Sequence, residues 1–324
     1  MLGPGGPIQP DGRVCACANP EASHAMRYDV IGDIHGHADP LRRLLTRLGY
    51  VERDGAYRHA SRLVVFLGDF IDRGPEQMAV LRIVRSMCDA GTARAVMGNH
   101  EFNAVGWALG YKPFKDRHRR QHAEFLRQSG AEAPADSEAI AWFRTLPLWL
   151  DFGGLRAIHA CWHPDSQSAL APFLTDKAQL TDEGWRRAHD QSSPAYGLAE
   201  ILLKGPEVEL PDGGHFHDKD GNLRRHARLR WWDPACRTFR SAALGLEGRE
   251  DQLPDSPIPA DFVYVDEIPL LFGHYWLRGA PRLCGPYANC LDFSIAAGGA
   301  LACYRWDGEA ALSPDKLMFE SLQA

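Results

Sequence analysis

The sequence predicts an α/β layered fold, and three observations carry that expectation. Short apolar, β-rich runs recur at 28–32, 62–67 and 93–97. Each leads into a glycine followed at once by Asp or Asn. Between them, "LRRLLTRL" and "MAVLRIVRSM" repeat their apolar residues at helical spacing, so strand and helix alternate along the chain.

The elements follow in order. Residues 1–26 are rich in Gly, Pro and Ala, lack apolar periodicity, and read as a disordered arm. Cys15 and Cys17 in that arm are too few for a zinc site without further ligands. Strand 28–32 precedes a helix at about 40–48. Then "YVERDGAYRHA" is expected to form a hairpin turning at Asp54-Gly55. Strand 62–67, helix 76–89 and strand 93–97 follow. Residues 101–146 read as a helical insertion, 148–160 as a hairpin at Gly153-Gly154, and 165–204 as helical. Gly, Pro and charge crowd 205–260, which resists local assignment but is grouped with a second helical insertion at about 165–260. "LDFSIAAGGALACYRW" predicts two strands across Gly298-Gly299. With no repeat and no clear linker, residues 27–324 are expected to form one domain.

Composition excludes several classes. The chain has 324 residues, 45% hydrophobic and 24% charged, with 36 Lys+Arg against 42 Asp+Glu. A formal charge of -6 argues against stable nucleic-acid binding or capture by an anionic membrane. The eight cysteines include no C-x-x-C pair and no tight framework, and no apolar run approaches bilayer length, so a cytoplasmic location is expected.

Chemistry concentrates in "GDIHG" (32–36), "GDFIDRG" (68–74) and "GNHE" (98–101). Charge buried at a strand end costs several kcal/mol unless paired or bound to metal. Asp33, His35, Asp69 and Asn99 form a hard oxygen and imidazole set, suited to a divalent cation at the carboxyl edge of a sheet. A four-position match such as "GDxHG" arises by chance in about one of 500 chains this long. Finding the other two after it, with Asp33, Asp69 and Asn99 separated by 36 and 30 residues, removes chance.

These three motifs resemble those of the calcineurin-like metallophosphoesterases, in the phosphoprotein phosphatase branch that includes Ser/Thr protein phosphatases and symmetrical diadenosine tetraphosphatases. The resemblance covers 27 to about 160 and 262–306. It implies a four-layer αββα sandwich and two divalent metal ions, manganese foremost, with Fe, Zn, Ni or Mg as alternatives. Asp33 and His35 would hold the first ion and Asp69 would bridge. Asn99, His159 and His274 would complete the second set. His159 is preferred to His163 because it directly ends the apolar strand "LRAI". His100 would be the general acid, oriented by Asp72, while Arg73 and Asn99 would meet the phosphate. The family's "GHT" is replaced here by "GHYW", so Tyr275 and Trp276 are expected to reshape the pocket.

The implied function is hydrolysis of phosphate esters by a metal-activated water without a covalent phosphoenzyme, in a phosphomonoesterase of protein-phosphatase type. The alternative is a symmetrical dinucleoside polyphosphate hydrolase, and a non-catalytic phospholigand-binding protein stands third. Substrates would be phosphorylated small molecules, nucleotides or phosphoproteins. Two basic runs stand apart. Lys112, Lys115, Arg117, Arg119 and Arg120 are expected on a solvated helix face, although they could grip polyphosphate. Trp231 and Trp232 are expected in the core, although they could stack a base. A second phosphate-binding arginine is open among Arg228, Arg230 and Arg237.

Overall fold

Side-chain alternation along the strands sets the layers. The computed structural model describes residues 26–111, 116–130, 137–217, 223–246, 248, 250–259 and 262–322. In it β1 (Arg27–Ile31) turns Val30 into one apolar cluster and Ile31 into another, and β4 (Arg62–Phe66) likewise divides Val65 from Val64 and Phe66. Successive side chains of a strand face opposite sides, so a strand covered on both faces reads as a continuous apolar run. The expected N-terminal arm lies, but for Met26, outside the described residues, as do Lys112 and Lys115.

Between those strands, α1 (Ala38–Arg47) buries Leu41, Leu44 and Leu45. The hairpin of β2 (Val51–Arg53) and β3 (Ala56–Arg58) turns at Asp54 and Gly55, both left-handed (φ 53° and 77°), as a tight two-residue turn requires. Next come α2 (Gln77–Asp89) and β5 (Ala93–Ala95), with β5 parallel to β4 and β4 parallel to β1. Three helices follow: α3 (Asn99–Ala108), α4 (Asp116–Ser129) and α5 (Glu138–Phe143). The hairpin of β6 (Trp149–Asp151) and β7 (Arg156–Ile158) leads to α6 (Pro164–Leu170), α7 (Asp182–His189) and α8 (Pro194–Lys204).

Helix ends there, earlier than the sequence grouping of 165–260 expects. Gly205 (φ 78°) stops α8, and Pro206 and Pro211 lack the N–H a helix would need. The chain instead forms β8 (Glu207–Glu209), β9 (Phe216–His217), β10 (Leu223–Arg224) and β11 (His226–Arg228), paired as β8 with β11 and β9 with β10. With the single turn α9 (Phe239–Ala242) they enclose a small core of their own around Leu229, Phe239 and Leu253.

The last strands are β12 (Leu270–Phe272), β13 (Ala288–Cys290), β14 (Asp292–Phe293), β15 (Ala300–Trp306) and β16 (Leu317–Ser321). One sheet runs β14-β15-β1-β4-β5, with β16 on β15, and the other runs β13-β12-β7-β6. Val30, Val65, Leu67, Ala157, Leu271, Ala302 and Tyr304 join their facing sides, each large side chain contributing about 1.5–3 kcal/mol by leaving water. Helices α1 and α2 cover the first sheet, and Ala199, Leu202 and Leu203 of α8 share the core of the second with Ile158 and Phe272. The result is the expected four layers. No helix among the described residues is long and apolar enough to cross a membrane.

Candidate metal and phosphate site

At the carboxyl ends of β1, β4 and β12 the backbone is forced into an unusual shape. His35, Asp69, Asp72, Arg73, His274 and Trp276 all have positive φ, between 46° and 76°. Such residues cost of order 1–3 kcal/mol each and persist only where the surroundings hold them. Here Glu101, at the start of α3, accepts from the backbone N–H of Asp69 (2.8 Å), Phe70 (2.8 Å) and Ile71 (3.3 Å). Gln77 accepts from Asp72 N at 2.9 Å. Neighbouring glycines make room. A Cβ on Gly98 would stand 2.2 Å from Asp69 N, and one on Gly273 would stand 1.9 Å from Asp33 Oδ1.

The structure brings the expected ligands together around Asp69. Its Oδ2 lies 3.6 Å from His35 Nε2, and its Oδ1 lies 3.5 Å from His159 Nε2. His35 Nδ1 donates to Ile71 O and His159 Nδ1 to Leu67 O, so burial keeps both rings neutral and each Nε2 turns a lone pair to the carboxylate. Asn99 Oδ1 faces His159 Nε2 at 3.0 Å and His274 Nδ1 at 2.8 Å. Two arrays of ligand atoms result, His35, Asp69 and His100 in one and Asp69, His159 and His274 in the other. Asp33 stands just outside them, its Oδ2 accepting from His274 N and its Oδ1 buried without a partner, like His35 Nε2 and His274 Nε2.

A cation fits this arrangement on two grounds. Nitrogen and oxygen ligands about 2.0–2.2 Å from a shared ion stand about 3–3.6 Å apart, which is the spacing around Asp69. The charges also call for one. Burial, with Asp292 and Asp69 nearby, pushes Asp33 well above the carboxylate range. Burial first and then Asp69 push Glu101 to about 8, and burial likewise lifts Asp292 to about 6. Asp69 itself is held low although burial opposes it, because the imidazoles of His159, His100 and His35 surround it. Burial disfavours the ionised forms of Asp33, Glu101 and Asp292, and positive ions among them would let these carboxyl groups share the site as carboxylates.

Beside this centre, Asp72 Oδ2 lies 2.5 Å from His100 Nδ1. Burial alone would lower His100, but the charge of Asp69 and the bond to Asp72 raise it. Asp72 correspondingly lies low despite its burial. The Arg73 guanidinium lies 3.9 Å over the Trp276 ring. His100 and Arg73 line a cleft of about 1450 Å³ that also exposes Asn99, His274, Arg120 and Arg228. Of the three arginines left open by the sequence, Arg228 lines this cleft.

Some expectations are corrected. Tyr275 does not shape the pocket. It is buried, accepting from Trp231 Nε1 at 2.7 Å, because the left-handed turns at His274 and Trp276 send it inward. Trp231 and Trp232 pack on Phe272 in the core, as expected, and present no face to a base. His163 caps α6 through Ser166 N, whereas His159, the preferred candidate, turns its Nε2 to Asp69. Sequence reasoning missed Glu101, His122 and Asp292, which accepts from Trp276 N at 2.8 Å. Only Glu101 carried a signal, as the fourth letter of "GNHE".

Fold and site define a class of protein, a layered α/β scaffold carrying a candidate divalent-metal centre at its strand ends. A family model described as calcineurin-like phosphoesterase matches residues 26–240, and the chain belongs to that family. It is 32% identical over 248 residues to the symmetrical bis(5'-nucleosyl)-tetraphosphatase of Ralstonia nicotianae, covering 69% of this chain and 82% of that one. To the asymmetrical bis(5'-nucleosyl)-tetraphosphatase PrpE of Halalkalibacterium halodurans it is 42% identical over 88 residues, 27% of this chain and 36% of that protein. The chain spans between 30% and 57% of the length of four such asymmetrical relatives. A solved structure presented as a candidate diadenosine tetraphosphatase shares the fold, with a TM-score of 0.50 over 92% of this chain and 95% of that one at 18% identity.

Proposed function

We propose that this chain is a dinuclear metal-dependent hydrolase of symmetrical bis(5'-nucleosyl) tetraphosphates, working in the cytoplasm. The cleft carries the reading. At about 1450 Å³ it exceeds the 300–1,000 Å³ of a drug-sized ligand site and joins the metal-ligand cluster to Arg73, Arg120 and Arg228. Similarity that runs along most of a symmetrical tetraphosphatase supports it further. The protein-phosphatase-type reading uses the same chemistry, but its support ends at the shared motifs.

Asp33, His35 and Asp69 would hold one ion, and Asp69, Asn99, His159 and His274 the other, manganese foremost. Bound there, divalent ions supply Lewis acidity toward phosphoryl oxygens and an activated water at neutral pH. The protein's own groups do the rest. Arg73 and Arg228 direct guanidinium N–H groups to phosphate oxygens, with Asn99 beside them. His100, charged and oriented through Nδ1 by Asp72, gives its Nε2 proton to the departing oxygen.

Diadenosine tetraphosphate, a phosphopeptide and an aryl phosphate, each with manganese, test the reading. ADP as the sole nucleotide product of the first, at the highest kcat/KM of the three, is expected. AMP with ATP would overturn the symmetrical cut, and a preference for phosphopeptide would restore the protein-phosphatase reading. Full activity after prolonged dialysis against a strong chelator would contradict the metal dependence.

A further inference from the structure

The basic run at 112–122 ends in His122, which has no part in the chemistry above. His122 projects from α4 and is 1% exposed. Its Nδ1 lies 2.8 Å and 3.0 Å from the two carboxylate oxygens of Asp72. The same carboxylate holds His100 Nδ1, and the backbone N–H of Asp72 is tied to Gln77. Asp72 therefore sits between two imidazoles that arrive from helices α3 and α4.

We propose that His122 is a positioning residue for this hydrolase. It clamps the Asp72 carboxylate in the plane from which that carboxylate aims His100 at the leaving oxygen. The inference rests on the hydrolase reading above. A carboxylate on a one-carbon stem rotates about its last bond, and one hydrogen bond to His100 leaves that rotation open. A second donor reaching both oxygens closes it. Orientation matters here because proton transfer needs the donor within hydrogen-bond reach of the oxygen as the P–O bond breaks.

The clamp is itself held. The His122 ring lies nearly parallel to Trp107, with centroids 6.5 Å apart and planes at 14°. One turn on, Phe125 is buried 6.1 Å from Phe143. Further along α4, Gln128 donates to Pro75 O at 2.6 Å and accepts from Met78 N at 3.3 Å, fastening α4 to the segment after Arg73 and to α2. α4 also places Gln121 Nε2 3.2 Å from His100 Nδ1 and carries Arg120 into the cleft. One helix thus bears both cleft wall and clamp.

Leaving-group dependence separates positioning from packing. His122→Phe keeps a flat ring beside Trp107 but has no donor, and His122→Asn restores an N–H near the position of Nδ1. Both are assayed with manganese on 2,4-dinitrophenyl phosphate, which leaves without a proton, and on phenyl phosphate, which needs one. Melting curves confirm that each variant is folded. His122→Phe is expected to lose roughly 10- to 100-fold on phenyl phosphate, a part of what a positioned acid supplies, and less than about threefold on the dinitrophenyl ester. His122→Asn should recover most of the loss.

Equal losses on both esters, or none on phenyl phosphate, would overturn the proposal. An activity-free measurement stands beside it: imidazole 15N–1H spectra of the zinc-loaded protein. There the Nδ1 proton of His100 should shift and exchange faster in His122→Phe, and an unchanged signal would likewise overturn the clamp. A wild-type protein inactive on every phosphate tested would sink the hydrolase reading instead, while the spectra still decide whether His122 orders Asp72 and His100.

Discussion

Removing the indole of Trp276, which also stands 6.1 Å from the His35 ring by centroid, should loosen Arg73. The guanidinium lies 3.9 Å over the ring, and Trp276 is fixed in a left-handed turn by its N–H bond to Asp292. A cation over an indole gains about 0.5–1 kcal/mol when exposed and about 2 kcal/mol when desolvated. Arg73 is exposed at the cleft although burial of part of the side chain lowers its pKa against Asp69 and Asp72, so about 0.5–1 kcal/mol is expected. At 1.4 kcal/mol per tenfold, that is roughly a 2- to 5-fold loss in kcat/KM for Trp276→Leu. The assay is a double-mutant cycle of Trp276→Leu and Arg73→Ala on an aryl phosphate with manganese. Once Arg73 is gone the Trp276 change should cost little, giving a coupling of about 0.5–1 kcal/mol. Additive losses with no coupling would show that the stacked pair does not order the phosphate-binding arginine.

Three further outcomes are expected. Gly98→Ala drives a Cβ to 2.2 Å from Asp69 N and 2.4 Å from Asp69 Oδ1. It should therefore destabilise the fold by about 1–3 kcal/mol and lower manganese affinity, read by denaturant titration with chelator and by isothermal titration with metal. His159→Ala should abolish binding of one of two manganese equivalents in metal analysis, whereas His163→Ala should keep both and lose only about 1 kcal/mol from the cap of α6. Away from the site, burial opposes ionisation of Asp307, but Lys316 and Arg62 outweigh it and hold the carboxyl down at about 2. A depressed folded pKa gives stability that is present above the ordinary value near 4 and is lost as pH falls toward 2. Discounted for partial exposure it amounts to about 1 kcal/mol. Asp307→Asn should flatten the pH 4 to 2 limb of the melting profile and leave the neutral plateau lower by that amount.

How legible the site was depends on how local each residue's task is. Asp33, His35, Asp69 and Asn99 stand within a few residues of a strand end, and the glycines beside them announce a sharp turn. His159 and His274 could be named because each directly ends an apolar strand. Glu101 lies inside a recognised motif, yet its task, receiving three N–H groups from residues 69–71, is visible only once α3 stands over that loop. His122 reaches Asp72 from 50 residues away, by the seating of a helix that the sequence marks only as basic and amphipathic. Tyr275 and Trp276 are adjacent, and the sequence grouped them. The positive φ at Trp276 separates them, one to the core and one beneath Arg73.

The sequence by itself determined the alternating strands and helices, the edge at which chemistry gathers and the ligand types held there. Those depend on periodicity and on glycine-bounded turns, which are properties of neighbours along the chain. The tertiary structure decided which of the three open arginines lines the cleft, where the aromatic pair points and what stands against the Asp72–His100 pair. Those depend on contacts between helices and strands distant in the chain, whose energies come from packing and desolvation when the layers close.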